Sequence, residues 1–293
     1  MNLDQISTED AVKVLKLQEL VKATDQQLSI KHDPGSLSPE KRLQDAIKAF
    51  VTYDPATIEV VRSARMLCTQ AQSKDKAVDY TKYNVLIQGD TGSGKSLLAR
   101  ILHGTVFGRF VEVNCAGLQD TLFESELYGH RKGSFTGAYA DREGLLLSAS
   151  RGTAFIDEVG ELPLSQQAKL LHAVENKRCY PVGADRPVEF SCRMVFATNR
   201  PLEQMVKAGL FREDLYHRIS TIILKLPPLA QRGRDVLAIA ASKLDEEGWT
   251  PLDDEESTYL LENVGRLTGG VRQLFNWLAR RELLSIPLTE AAV

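Results

Sequence analysis

The run Gly89-Asp90-Thr91-Gly92-Ser93-Gly94-Lys95-Ser96 has the fixed glycines, lysine and hydroxyl of a phosphate-cradling loop. Glycines let backbone N–H groups turn inward around phosphate oxygens, and a helix opening at the end of the loop adds the positive end of its dipole. Lys95 is then placed for the β- and γ-phosphates. Ser96 offers a hydroxyl to Mg²⁺, a hard ion that prefers oxygen ligands and substrate phosphates. Further along, Phe155-Ile156-Asp157-Glu158 sets two carboxylates at the end of an apolar run. Alone, an Asp-Glu pair reads as a solvated strand end. Beside a phosphate loop the two divide the work, Asp157 helping to hold Mg²⁺ and Glu158 deprotonating the water that attacks the γ-phosphate.

Three more polar groups could join that chemistry. Asn199, after Ala197-Thr198, can donate to the γ-phosphate or to the attacking water, with a turn-forming asparagine as the competing reading. Asn114, after Phe110-Val111-Glu112-Val113, could hold Glu158 by a hydrogen bond until γ-phosphate is sensed. Arg212 and Arg218 stand six residues apart on an expected helix. They are ordinary surface arginines unless identical subunits form a ring, in which case they can reach a neighbour's γ-phosphate. Arg272 opens a late helix and could contact the phosphates from the other side of its own subunit.

These groups need a strand before the phosphate loop and a helix after it. Tyr83-Asn84-Val85-Leu86-Ile87-Gln88 reads as the buried strand, and residues 96–102 place Leu97, Leu98, Ile101 and Leu102 on one helical face, Leu97 nearest the nucleotide. Strand candidates then alternate with helices: residues 110–113, 153–156, 194–198 and 221–224. Such alternation implies an α/β fold, a mainly parallel sheet with helices on both faces. Pro227-Pro228 closes that unit, and residues 235–246, 253–262 and 271–281 read as three helices of a small second domain. The expected organisation is a helical N-terminal extension (1–53), a nucleotide-binding α/β domain (54–228) and an α-helical lid (229–293). In the extension, residues 7–10 look like a helix start, Val12, Leu15, Leu17, Leu20 and Val21 are apolar packing positions, and Asp33-Pro34-Gly35 is a break. Ser38-Pro39-Glu40 opens a second helix.

Composition excludes several classes. The chain has 293 residues, 43% hydrophobic and 26% charged, with a net charge of −3, so bulk electrostatic coating of nucleic acid is not expected. No apolar run approaches the roughly 20 residues that span a bilayer, and the start carries no signal-peptide core, which makes the cytoplasm the default location. Cys68, Cys115, Cys179 and Cys192 are widely spaced and read as buried, inert thiols.

The most specific segment is Glu126-Leu127-Tyr128-Gly129-His130-Arg131-Lys132-Gly133-Ser134-Phe135-Thr136-Gly137-Ala138. Its glycines forbid a simple helix through the centre. Phe135 is either a hydrophobic plug or a contact for a partner. With this segment the chain, from about residue 54 to 281, resembles the AAA+ module of bacterial enhancer-binding proteins, the activators of sigma-54 RNA polymerase. Residues 133–138 match the family's GAFTGA loop with serine for the first alanine. The resemblance implies a three-layer αβα P-loop domain with a helical lid, and an ATPase that remodels the sigma-54 RNA polymerase holoenzyme for promoter opening. Phe135 and Thr136 would grip sigma-54 and promoter DNA. Walker A falls at residues 89–96, Walker B at Asp157 and Glu158, sensor I at Asn199, arginine fingers at Arg212 and Arg218, and sensor II at Arg272, with Asn114 at the glutamate-switch position. ATP and Mg²⁺ are the implied cofactors and a homo-oligomeric, hexameric ring the implied assembly.

The sequence departs from the family in places. Ser96 replaces a common glutamate, and the usual Trp-Pro-Gly-Asn-Val-Arg-Glu-Leu is here Leu267-Thr268-Gly269-Gly270-Val271-Arg272-Gln273-Leu274. Twelve residues follow Arg281, too few for a helix-turn-helix, and residues 1–53 are too few for a receiver domain. Two other readings are an ATP-binding scaffold without activator function and an AAA+ remodeller of another protein.

Overall fold

The computed structural model describes residues 39–69, 83–104, 106, 108–116 and 120–292. The expected helix start at residues 7–10, its apolar positions and the break at 33–35 lie outside the described residues.

In chain order the strands are β1 (Val85–Gln88), β2 (Phe110–Asn114), β3 (Gly129–His130), β4 (Arg142–Glu143), β5 (Thr153–Asp157), β6 (Arg178–Cys179), β7 (Val188–Glu189), β8 (Arg193–Thr198) and β9 (Ile222–Lys225). Five of them form one parallel sheet in the order β2-β5-β8-β1-β9, and β3–β4 and β6–β7 are two short antiparallel hairpins. Among the described residues the helices ahead of the lid are α1 (Pro39–Ala49), α2 (Pro55–Thr69), α3 (Lys95–His103), α4 (Asp120–Tyr128), α5 (Leu145–Ser148), α6 (Leu164–Asn176), α7 (Leu202–Lys207) and α8 (Glu213–Ile219).

Alternation along each strand sends side chains to two cores. Val85, Ile87, Phe155, Val195 and Ala197 pack with Leu98, Ile101 and Leu102 of α3 and with Leu43 and Val61 of α1 and α2. Leu86, Ala154, Ile156, Met194 and Phe196 face the other way, onto Phe123 of α4, Leu170 of α6 and Leu215 of α8. Each fully buried leucine here contributes about 2 kcal/mol. The crossover after β1 therefore lies on one face while those after β5 and β8 lie on the other. Where neighbouring strands send their connections to opposite faces, a crevice opens at their carboxyl ends. The β1/β8 boundary is that place, and it holds residues 89–96 and Asn199.

The lid comprises α9 (Gly233–Glu247), α10 (Asp254–Glu262), α11 (Gly270–Leu284) and α12 (Leu288–Ala291) around Val236, Leu244, Leu260, Leu274 and Trp277. Asp253 starts α10 with a reciprocal cap to Glu256, and Glu256 also holds Arg281 of α11 through two bonds of 2.7 Å.

The αβα arrangement with a helical lid agrees with the expected AAA+ fold. Two local expectations change. The first strand begins at Val85 rather than Tyr83; the Asn84 side-chain amide just before it donates to the Arg218 carbonyl at 2.9 Å. The lid gains a fourth short helix, since Leu288 and Ala291 are buried in it. All four cysteines are buried and none forms a disulfide. No helix among the described residues is long and apolar enough to cross a membrane.

Candidate functional site

The loop after β1 bends through Gly92 at φ 71° and Gly94 at φ 106°, the left-handed region where a Cβ would clash with backbone. Gly94 caps α3, so the first free N–H groups of that helix open onto the loop. Space as well as conformation requires glycine at Gly92: a Cβ there would lie 2.4 Å from the Gly269 carbonyl oxygen. Gly270, at φ 60°, is limited the same way, its Cβ falling 2.6 Å from the Thr91 carbonyl oxygen. Val271 N donates to Gly92 O at 3.1 Å. The lid thus rests on the phosphate loop, which gives the glycine at Gly270 a steric reason.

Lys95 is buried. Its ammonium donates to the carbonyls of Gly89 (3.0 Å) and Asp90 (3.3 Å) and stands 3.5 Å from Glu158 Oε1. Asp157 ends β5, its Oδ1 accepting from Glu158 N at 2.9 Å. Burial, and then the Glu158 charge, push the Asp157 carboxyl above the usual carboxylate range, while Lys95 pulls it down and Arg272 adds a weaker pull. Glu158 sits at φ 52°, ψ 45°. A non-glycine residue held there costs of order 1–3 kcal/mol, and such strain gathers at functional sites.

Asn199 closes the group. Its backbone N–H donates to Glu158 Oε2 at 3.1 Å and its side-chain amide to Thr91 Oγ1 at 3.2 Å. Asn114 does not join it. Although it lies beside Asp157 in the β2–β5 register, its Oδ1 accepts from Ala116 N at 2.8 Å. Glu158 is held instead by Lys95 and Asn199, which corrects the expected Asn114–Glu158 hydrogen bond for this state of the chain.

Sequence reasoning missed two features next to the loop. A cavity of about 470 Å³ opens beside Ser93, Gly94 and Leu97, walled by Phe50, Ile239, Val271 and Phe275. Its apolar walls beside a phosphate loop suit a planar base. The second is Arg232, buried at the start of α9, which donates to Ser93 O at 2.8 Å and faces Asp235 at 3.8 Å. Asp235 in turn accepts from Thr52 Oγ1 and the N–H groups of Tyr53 and Asp54. One buried ion pair therefore joins the phosphate loop, the lid and the segment before α2. The i, i+3 spacing of Arg232 and Asp235 was the only signal, and such spacing is common on helices.

Arg212 and Arg218 face outward. Arg212 caps α8 and grips Asp214 with bonds of 3.0 and 2.7 Å, and Arg218 pairs with Glu175 at 3.1 Å. The Arg218 carbonyl is bonded to Asn84, at the opposite end of β1 from the phosphate loop. The roughly five residue steps from Asn84 to Gly89 put about 16 Å between those ends. Arg218 is remote from its own Lys95.

The segment around Phe135 is the tip of the β3–β4 hairpin. It closes on itself through Gly133 N to Ala138 O at 2.8 Å and Ala138 N to Phe135 O at 3.0 Å. Phe135 is half-buried, its ring edge-on to His130 with centroids 5.0 Å apart, and Thr136 is exposed. His130 is steadied by Ser125 Oγ at 2.7 Å and by the bridge to Val182 in the β6–β7 hairpin. Phe135 is not part of the sheet cores.

The family model described as "Sigma-54 interaction domain" matches residues 60–225, more than half of the chain. The chain is 38% identical over 261 residues to the transcriptional regulatory protein FlbD of Caulobacter vibrioides, covering 85% of this chain and 56% of FlbD. It is 37% identical over 244 residues to the regulatory protein AtoC of Escherichia coli, covering 80% and 50%. Among solved structures, NtrX from Brucella abortus aligns with TM-score 0.69 and 27% identity over 84% of this chain and 54% of NtrX. NtrX in complex with ADP aligns with TM-score 0.68 and 25% identity, covering 94% and 59%. The chain spans about half the length of these relatives. It belongs to the sigma-54 interaction domain family.

Proposed function

We propose that the chain is the ATP-hydrolysing motor of a sigma-54-dependent activator, working as a ring, hexameric by family expectation, on the sigma-54 RNA polymerase holoenzyme. The convergence of Lys95, Glu158 and Asn199 at the β1/β8 crevice, with the Phe135 hairpin standing outside the cores, carries this reading. Residues 89–96 would bind the phosphates, the cavity at Phe50 and Phe275 the adenine, and Arg272 the phosphates from the lid side. A hydroxyl at Ser96 and a buried carboxylate at Asp157 fit a hard cation that completes its shell with water and phosphate. Mg²⁺ held by Ser96 and Asp157 would supply neutralisation of phosphate charge.

The triphosphate competes with Glu158 for the Lys95 ammonium. Glu158, released, accepts a proton from the attacking water while Asn199 orients it. Arg212 and Arg218 complete the site from the adjoining subunit, because the fold keeps Arg218 at the far end of its own β1. A head-to-tail contact of this kind repeats until it closes a ring.

The hairpin is within mechanical reach of this chemistry. Gln166 and Lys169 of α6, the helix after Glu158, bond Glu124 of α4 at 2.6 and 2.5 Å, and α4 runs directly into β3. A change at Glu158 would thus reach Phe135 and Thr136 through two helices, giving different partner affinity in each nucleotide state. Promoter DNA is a second contact for the same tip.

Purified sigma-54 pulled down with ATP, ADP or an ATP transition-state mimic tests the reading. Capture is expected with the mimic, less with ADP, and Thr136→Ala should abolish it while leaving hydrolysis intact. Capture unaffected by Thr136→Ala would overturn the activator reading. Negligible turnover at every protein concentration would favour an ATP-binding scaffold.

A further inference from the structure

Gln167 of α6 is fully buried, yet its amide makes three hydrogen bonds into two separate parts of the chain. Nε2 donates to Leu162 O at 2.8 Å and to Leu210 O at 3.2 Å, and Oε1 accepts from Arg212 N at 2.8 Å. Leu162 ends the single turn (Val159–Glu161) that Glu158 begins. Arg212 is the residue that caps α8. An apolar side chain of similar size would fill the same space without the cost of burying an amide. What the amide adds is direction: it fixes the backbone of Arg212 relative to the segment that carries Glu158. Asp214 holds the guanidinium end of the same residue.

We propose that Gln167 is a positioning residue that sets Arg212 for the nucleotide of the neighbouring subunit. The proposal rests on the shared-site reading above. Misplacing a catalytic group by about 1 Å costs ~10²-fold in rate, so Gln167→Met should lower kcat by about that factor. KM for ATP should stay within about twofold, because the subunit's own phosphate loop is untouched.

A mixing experiment separates this role from a merely structural one. Lys95→Ala subunits cannot hydrolyse but keep an intact Arg212. Mixed with Gln167→Met subunits, they should restore turnover at interfaces where a Gln167→Met site meets a Lys95→Ala arginine, about a quarter of randomly assorted pairs. Arg212→Ala mixed with Lys95→Ala is the control and should recover equally. Recovery in the control alone would overturn the proposal, placing the effect of Gln167 in its own subunit. Recovery in neither mixture would remove the shared site itself, and the proposal with it. Wild-type kcat in Gln167→Met would also overturn it. If Gln167→Met does not fold, Gln167→Asn, one methylene too short to span Leu162 and Arg212, carries the same test.

Discussion

The crevice at β1/β8 and the outward-facing groups, Arg212, Arg218 and the Phe135 hairpin, place their side chains in opposite settings. In the crevice the charges converge. Lys95 and Asp157 are buried, Glu158 is held from two sides, and even the arginine behind the loop, Arg232, is 3% exposed. On the outside the guanidinium groups of Arg212 and Arg218 are exposed and pair with the carboxylates of Asp214 and Glu175. Under the proposed function the contrast has a physical sense: groups acting within their own chain are fixed by burial, whereas the guanidinium groups proposed to act on a neighbouring subunit stay accessible.

The largest expected effect would break this division. Arg212→Ala should reduce ATP turnover by about 10³–10⁵ while leaving ATP binding to the isolated subunit unchanged, checked by steady-state hydrolysis beside equilibrium titration. Loss of binding in the isolated subunit would show that Arg212 serves its own site. Next, Arg232→Ala should destabilise the fold by about 3–5 kcal/mol, read from urea unfolding, since Asp235 would be left as an unpaired buried charge.

The third tests the inner region with acid. Burial, with the charges of Arg42, Arg100 and Arg193, lowers the His103 pKa from 6.5 to about 4. A depressed folded-state pKa means stability is complete above pH 6.5 and is lost as pH falls toward 4, by a total on the order of 3 kcal/mol. His103→Gln should flatten that limb in urea midpoints measured at pH 7 and pH 5, and an unchanged slope would move the acid sensitivity elsewhere. The smallest effect is expected outside: Asp214→Ala should shift stability by no more than about 1 kcal/mol, as for exposed ion pairs generally. A larger loss would make the Arg212 tether structural rather than loose.

Local residue order accounts for much of this molecule. The spacing Gly89 to Ser96 specifies a phosphate loop because left-handed glycines and a helix start are local requirements. Alternating apolar residues in β1, β5 and β8 specify a sheet covered on both faces, since side-chain direction on a strand has period two. Asp157 and Glu158 follow from standing at a strand end. Tertiary structure decided the rest. Phe50 and Phe275 share one cavity, Arg232 reaches Ser93, Asp235 reaches Asp54, and Gln167 reaches Arg212, although the partners in each pair lie 45 to 225 residues apart. The choice of Asn199 rather than Asn114 as the partner of Glu158 belongs to the same class. A hydrogen bond or a cavity wall depends on which surfaces the packed helices bring together, and no periodicity along the chain encodes that distance.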